Sequence, residues 1–174
     1  MSTLVVYYTN TGNTRRMAEL LARELKADLA EVTCERYLRW YGPVAMAWDI
    51  FTRHLPKVTV VVPPKGKYDC VVIGGPVWAA KAAPPILSLA SHWPGTRKAL
   101  FVTCSGSSRS SPPEPAIAEM QRVLANGTDV PTRIFREAEV HSERAGEHAR
   151  AFAARIEADA GGSSRVAPIV DRGN

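Results

Sequence analysis

The sequence predicts an α/β protein in which helices cover both faces of a parallel sheet. Short runs of β-branched and aliphatic residues, typical of strands buried on both faces, recur along the chain. Segments with apolar residues at helical spacing separate most of these runs. The 174 residues, 45% of them apolar, correspond to about one globular domain. Strands and helices that alternate within one domain are typical of a three-layer, doubly wound sheet.

Five segments are predicted to be strands. The first contains a run of consecutive apolar residues at 4–8 and precedes a polar loop. The fifth has the poorest pattern, because charged residues interrupt it. In order, the predicted strands are 3–8, 29–33, 69–75, 98–104 and 132–140.

Five segments are predicted to be helices, at 15–27, 43–54, 84–93, 114–125 and 143–160. Prolines stand where three of them would begin, and Gly161-Gly162 would end the last. The helix at 43–54 has a stripe of apolar residues on one face, and we expect this stripe to pack on the sheet. Its members are Val44, Ala47, Trp48, Phe51 and Leu55.

Composition narrows the range of functions. No basic segment precedes the first apolar run, no stretch approaches the ~20 apolar residues of a membrane span, and the three cysteines form no CxxC pair. These features predict a cytoplasmic protein with free thiols and no membrane insertion. Neither a basic stripe with interleaved aromatics nor a metal-ligand spacing is present, so nucleic-acid binding and metal chemistry gain no support.

We expect one domain at 1–160 and a separate tail at 161–174. The tail contains the apolar residues Val166, Ile169 and Val170. Docking of these residues on a neighbouring copy is one hypothesis, which makes a homo-oligomer an open possibility. Packing of the tail on its own domain is the other.

The most specific motif lies between the first predicted strand and the first predicted helix. It reads Thr9-Asn10-Thr11-Gly12-Asn13-Thr14. Backbone N–H groups at a helix N-terminus, side-chain hydroxyls and a glycine together suit a phosphate monoester. The Walker lysine and the paired glycines of dinucleotide-binding loops are absent, which disfavours nucleoside triphosphate hydrolysis and dinucleotide binding. A simple polar helix cap is the alternative.

This loop resembles that of the flavodoxin family, whose first loop follows [ST]-x-T-G-x-T and holds the phosphate of FMN. The segment Gly74-Gly75-Pro76-Val77-Trp78-Ala79 is similar to the second flavin loop of the family, and Trp78 would be its aromatic ring. A third segment matches by position only, after the fourth predicted strand. It reads Thr103-Cys104-Ser105-Gly106-Ser107.

The resemblance implies a five-stranded parallel sheet of order 2-1-3-4-5 that binds FMN where the ends of strands one, three and four meet. Ligands of doubly wound sheets generally bind at the carboxyl ends of the strands where the strand order reverses, and flavodoxin is a known example. The resemblance implies no catalytic side chain and no metal. The cofactor-binding residues implied are Thr9, Asn10, Thr11, Gly12, Asn13, Thr14, Pro76, Val77, Trp78, Ala79, Ala80, Thr103, Cys104, Ser105, Gly106 and Ser107.

Two departures from the family pattern bear on function. The third loop brings no second aromatic, so the outer face of the flavin would be open, or covered by aromatics of the segment 34–66 such as Tyr37, Trp40, Tyr41 and Trp48. For Trp48 we favour packing in the core over this covering role.

The charge near the loops also differs, because basic residues outnumber acidic ones in the middle of the chain. Lys81, Arg97, Lys98 and Arg109 are expected at the flavin rim. Cations favour the anionic reduced flavin, so this rim predicts a less negative reduction potential than that of an acidic flavodoxin.

Two functions of different class follow from the resemblance. One is an electron carrier that docks redox partner proteins. The other is an oxidoreductase that takes hydride from NAD(P)H and passes electrons to a quinone or a similar small acceptor; an open outer face and a basic rim would suit the anionic nicotinamide cofactor. A third interpretation is a flavodoxin-like fold that no longer binds flavin.

Overall fold

The computed structural model describes residues 1–64, 67–105 and 112–163. Within them seven strands form one sheet. The strands are β1 (Thr3–Tyr7), β2 (Asp28–Thr33), β3 (Thr59–Val60), β4 (Cys70–Trp78), β5 (Lys81–Ala82), β6 (Arg97–Cys104) and β7 (Thr132–Arg136). Five of them are parallel and follow the order β2-β1-β4-β6-β7. The predicted 2-1-3-4-5 order is therefore confirmed.

The two remaining strands are short and antiparallel. β3 pairs with the outer side of β2, and β5 folds back on the end of β4. Neither was predicted, because two-residue strands are too short to carry a periodic pattern.

Helices cover both faces of the sheet. They are α1 (Asn13–Leu25), α2 (Glu35–Leu38), α3 (Gly42–Thr52), α4 (Pro84–Leu87), α5 (Glu114–Leu124), α6 (Glu137–Val140) and α7 (Ala145–Ser163). On one face α1 and α7 bury Met17, Leu21 and Phe152 against the sheet. On the other face α4 and α5 bury Ile86 and Met120. This arrangement confirms the predicted three-layer α/β class.

Several predicted boundaries were wrong, and β4 runs three residues past the predicted 69–75, to Trp78. The fifth strand ends at Arg136, because Arg136 N donates to the Glu139 carboxylate at 2.8 Å and the chain turns into α6. The third predicted helix, 84–93, forms only one helical turn, α4 (Pro84–Leu87), and Ser88 Oγ then donates to the carbonyl oxygen of Pro56 at 2.8 Å. The last helix runs past the two glycines to Ser163.

The orientation of α3 is the main correction to the sequence analysis. The expected core-facing stripe points away from the sheet, and Trp48 is 60% exposed. The opposite side of α3 faces inward with Ala45 and Asp49. The core prediction for Trp48 was therefore wrong.

The physical reason for this orientation is a buried polar cluster. The Tyr37 hydroxyl donates to Asp49 Oδ2 at 3.0 Å, and the Arg36 guanidinium lies 3.3 Å from Asp49 Oδ1. Gly42 also brings α3 against the backbone carbonyl of Tyr37, where a Cβ would clash. A buried carboxylate needs such partners, so the contacts made by Asp49 fix which side of α3 faces the protein.

No helix within the described ranges is long and apolar enough to cross a membrane. Cys34, Cys70 and Cys104 are free and buried. Residues 164–174, including the apolar residues of the tail, lie outside the described residues, so the two hypotheses for the tail stay predictions.

Candidate functional site

The predicted phosphate loop joins the end of β1 to the start of α1. The Gly12 N–H donates to Thr9 Oγ1 at 3.0 Å, which closes a tight turn. Gly12 has φ 92°, a conformation that favours glycine, and the helix begins directly after it.

The N-terminus of α1 is open to a ligand. In the described part of the chain no side chain caps it, and no acidic residue stands in its first turn. The first helical hydrogen bond runs from Arg16 N to Gly12 O at 3.0 Å. The N–H groups before Arg16 are therefore free of helical partners, and the positive end of the helix dipole adds to their attraction for an anion.

A cavity of about 340 Å³ opens beside this N-terminus. It lies at the carboxyl ends of β1, β4 and β6, which is where ligands of doubly wound sheets bind. All three predicted loops contribute to its lining. The lining residues are Thr11, Asn13, Pro76, Val77, Thr103, Cys104, Ser105, Glu137 and His141.

Hydrogen bonds tie the elements around the cavity together. The hydroxyls of Thr14 and Thr103 lie 2.7 Å apart and are buried, so they connect α1 to the end of β6. Asn13 Nδ2 donates to Glu137 Oε1 at 3.3 Å, and Asn13 Oδ1 lies 2.8 Å from His141 Nε2. These contacts hold the first turn of α1 against the segment that follows β7.

Trp78 is the last residue of β4, directly after the cavity-lining residues Pro76 and Val77, and it belongs to an aromatic cluster. Its ring lies 5.6 Å from that of Tyr8, edge to face, and 6.2 Å from that of Tyr37. Ala79 and Ala80 then make the turn to β5 with φ of 48° and 61°. Two consecutive positive φ values without glycine are unusual, and such backbone strain is often found at functional sites.

Burial sets the protonation of the groups around the site. It raises the pKa of the Cys104 thiol, so this group is a neutral lining residue and not a nucleophile. Burial also raises the pKa of Tyr8 to about 12 and, together with the hydrogen bond to Asp49, raises that of Tyr37. We therefore assign no acid–base role to these groups near neutral pH.

The predicted site residues fall into three groups. Seven of them line the cavity. Thr9, Asn10, Gly12 and Thr14 build the loop behind it, while Trp78, Ala79 and Ala80 form the adjacent hairpin. Gly106 and Ser107 lie outside the described residues.

Two lining residues, Glu137 and His141, were missed from the sequence. The reason is that residues 132–140 were predicted to be one strand, which placed Glu137 inside the sheet. The available signal was the topology, since the end of the fifth strand lies at the same edge as the three loops.

The expected basic rim was wrong for Arg97 and Lys98. Both stand at the first residues of β6, roughly 20 Å from its carboxyl end at the strand rise of ~3.3 Å per residue. Lys81 lies on the hairpin and donates from Nζ to the carbonyl oxygen of Ile50 at 3.0 Å. Arg109 lies outside the described residues. The carboxylate of Glu137, in contrast, is at the cavity.

No family model matches the chain, and no curated protein matches it by sequence. Solved structures do. A flavoprotein from Lactobacillus acidophilus NCFM, determined in complex with FMN, is 25% identical, with 80% of this chain and 95% of that chain covered and a TM-score of 0.60.

Two further structures extend the similarity. A protein from Bacteroides eggerthii described as a flavoprotein is 22% identical, covers 90% of this chain and 98% of its own, and has a TM-score of 0.66. The flavodoxin of Streptococcus pneumoniae TIGR4 is 15% identical, with 91% and 99% covered and a TM-score of 0.55. The sheet order, the three loops at one edge and these similarities show that the chain has a flavodoxin-like fold.

Proposed function

We propose that the chain binds FMN non-covalently in the cavity at the N-terminus of α1 and transfers electrons through the bound FMN. The observation that carries this proposal is the meeting of three loops at an uncapped helix N-terminus. The similar flavoprotein from Lactobacillus acidophilus, determined with FMN, supports the same cofactor.

The residues at the cavity fit both ends of FMN. The N–H groups of the first turn of α1 and the hydroxyl of Thr11 would hold the phosphate, while Asn13, whose amide contacts Glu137 and His141, positions that turn. The backbone at Pro76, Val77 and Ser105 would border the flavin ring system, which Trp78 and the turn Ala79-Ala80 would flank. FMN supplies the redox chemistry when bound, and the protein positions it and sets its surroundings.

Binding of the phosphate can be tested by comparing FMN with riboflavin, which lacks it. We expect apoprotein to bind FMN more tightly, and Thr11→Ala to weaken FMN binding by roughly 10- to 100-fold, as for loss of one hydrogen bond to a charged group. Riboflavin binding should be unchanged in this variant. Flavin fluorescence quenching measures both affinities.

Thr128→Ala is the matched control, because Thr128 is an exposed threonine in the turn after α5 and does not line the cavity. It should bind FMN like the unmodified chain. Equal affinity for FMN and riboflavin would contradict the assignment of the phosphate loop.

Electron transfer to and from protein partners is the function we favour. The basic rim that would have favoured an anionic nicotinamide cofactor is smaller than expected, since Arg97 and Lys98 lie at the opposite edge of the sheet. Glu137 adds negative charge at the cavity itself. Both features reduce the electrostatic attraction of NAD(P)H to the flavin.

One observation supports an NAD(P)H-dependent reductase as the second candidate. A cleft of about 250 Å³ lies beside the hairpin, lined in part by Arg53, Lys81 and Arg122. Such cations would suit the phosphates of a nicotinamide nucleotide, with electrons passing from FMN to a quinone or similar small acceptor.

Anaerobic mixing of FMN-loaded protein with NADPH, and separately with NADH, distinguishes the two candidates. For a carrier we expect the flavin absorbance to persist with both nucleotides and to bleach with dithionite. Bleaching by either nucleotide within the time of one turnover of an ordinary enzyme, ~0.1 s, would establish the reductase instead.

A further inference from the structure

The segment that carries α2 and α3 has an unusual distribution of apolar residues. Among the described residues, every large hydrophobic side chain that is mostly exposed, apart from Met1, lies between Leu38 and Val61. Trp40 is 93% exposed and Phe51 is 84% exposed. We call the following six residues the apolar patch: Leu38, Trp40, Val44, Trp48, Phe51 and Leu55.

The patch follows one side of α3. Val44, Trp48 and Phe51 are spaced at i, i+4 and i+7, which places them on one face of the helix. The side chain of Asp49, which is the only charged residue of α3, points the other way and is fully buried. Because its one charged side chain is buried and its aromatic side chains are exposed, α3 presents an apolar face to solvent instead of a polar one.

The summed exposed area of the six side chains exceeds the area of the largest apolar patch on a typical monomer. At 150–250 Å² per aromatic side chain, the exposed fractions of Trp40, Trp48 and Phe51 amount to roughly 500 Å². The three aliphatic members raise the total to on the order of 700 Å², above the ~300–600 Å² of the largest patch on a typical monomer.

This area matches what one partner buries in a stable protein–protein interface, about 800 Å². The composition matches as well, because the cores of such interfaces are enriched in aromatic residues and depleted of charged ones, and the patch contains Trp40, Trp48 and Phe51. Transient redox encounters lie at the low end of interface size, so a docking electron donor is a poor fit to the patch.

A lipid surface is also a poor fit. Helices that lie in the membrane interface carry Lys and Arg along their polar face, and α3 contains neither within Gly42–Thr52. A second copy of the chain meets every requirement, since two identical patches related by a two-fold axis bury each other.

We propose that the chain is a two-fold symmetric dimer in which the apolar patch of one copy packs against that of the other. The proposal does not rest on FMN binding, because the patch lies on α3 and the residues that flank it, while the cavity at the N-terminus of α1 is formed by other residues. The dimer should therefore form with and without FMN.

Light scattering of the full chain after size exclusion tests the proposal. We expect a mass of about twice 19.0 kDa at micromolar concentration and above. In the double variant Trp48→Ser/Phe51→Ser the mass should fall to that of one chain. The far-UV circular dichroism should not change, because both side chains are exposed in the single chain.

The matched control is Ala151→Ser/Ala154→Ser, which places two serines on the exposed side of α7. This variant should remain a dimer. Acrylamide quenching adds a second readout: tryptophan fluorescence should be quenched more strongly in Phe51→Ser than in the unmodified chain, since a dissociated patch exposes Trp40 and Trp48.

A single-chain mass for the unmodified protein up to about 100 μM would overturn the proposal. The proposal would also be overturned if that monomer cosedimented with anionic phosphatidylglycerol vesicles. It would likewise be overturned if a stable complex with a different protein buried the apolar patch. A dimer that survives Trp48→Ser/Phe51→Ser would overturn it too, because its interface would lie elsewhere.

Discussion

At the scale of single residues, the cluster around Asp49 links the fold to the surface. Tyr37 donates to Asp49 from its hydroxyl and also contacts Trp78 beside the cavity, with ring centroids 6.2 Å apart. One tyrosine therefore connects the orientation of α3 to the end of β4, where Trp78 lies. A substitution at Tyr37 is expected to disturb both, because a buried carboxylate without its donor is costly.

Tyr8 gives a prediction for pH dependence. Its side chain is buried, and burial raises its pKa to about 12, so the folded state favours the neutral phenol. In the unfolded chain a tyrosine ionises near pH 10. The associated stability is complete below pH 10 and is lost as the pH rises from about 10 to 12, by up to ~3 kcal/mol.

Urea unfolding at several pH values between 9 and 12 measures this effect. In Tyr8→Phe the free energy of unfolding should fall less steeply over that range than in the unmodified chain. Tyr37, whose pKa is also raised, accounts for part of the slope that remains. Parallel pH profiles for the two proteins would show that Tyr8 is not responsible.

At the scale of elements, the pairing of β4 with β6 depends on a glycine. Gly74 lies opposite Phe101, and a Cβ at Gly74 would occupy the space of the Phe101 ring. That ring is fully buried and packs edge to face against Phe135 at 5.9 Å. The core on this face therefore has no room for a methyl group.

We expect Gly74→Ala to lower the free energy of unfolding by about 1–3 kcal/mol, as overpacking does in well-packed cores. Gly146→Ala is the control, because no atom lies within 4 Å of a Cβ at Gly146 on α7. It should leave stability unchanged or raise it by up to about 1 kcal/mol. Equal values for both variants in urea unfolding would contradict this packing argument.

The sequence was sufficient for the parallel strands and their order, since buried runs and a recognisable loop identify a doubly wound sheet. It was insufficient for α3. A stripe at Val44, Trp48 and Phe51 has the same periodicity whether it faces the sheet or a partner. The deciding contact, Tyr37 with Asp49, joins residues twelve positions apart and has no periodic signal.

The candidate site was predictable to a similar degree. The loop before α1 could be recognised because local backbone chemistry defines it. Glu137 and His141 enter through tertiary structure, and the end of β7 that delivers them depends on the side chain of Glu139. Their arrival at the cavity follows from the fold and not from a local pattern.

At the scale of the whole molecule, FMN binding should stabilise the folded chain. A ligand at 100 times its dissociation constant that binds only the folded state adds about 2.7 kcal/mol. For a chain of this length that corresponds to a rise in Tm of roughly 5–10 °C. Differential scanning fluorimetry or calorimetry at several FMN concentrations measures the rise.

Riboflavin at the same concentration should raise the Tm less, because it lacks the phosphate that the first turn of α1 would hold. An unchanged Tm in a large excess of FMN would contradict the proposed binding.

The position of β1 in the sheet also has a consequence for synthesis. β1 is synthesised before both β2 and β4 but lies between them, so one of its edges stays unpaired until residues 34–69 and β4 have been made. At ~5–20 residues per second, this interval lasts roughly 2–9 s. An apolar strand with an open edge readily pairs with other chains. The length of the segment carrying α2 and α3 thus sets how long the nascent protein is vulnerable to aggregation on the ribosome.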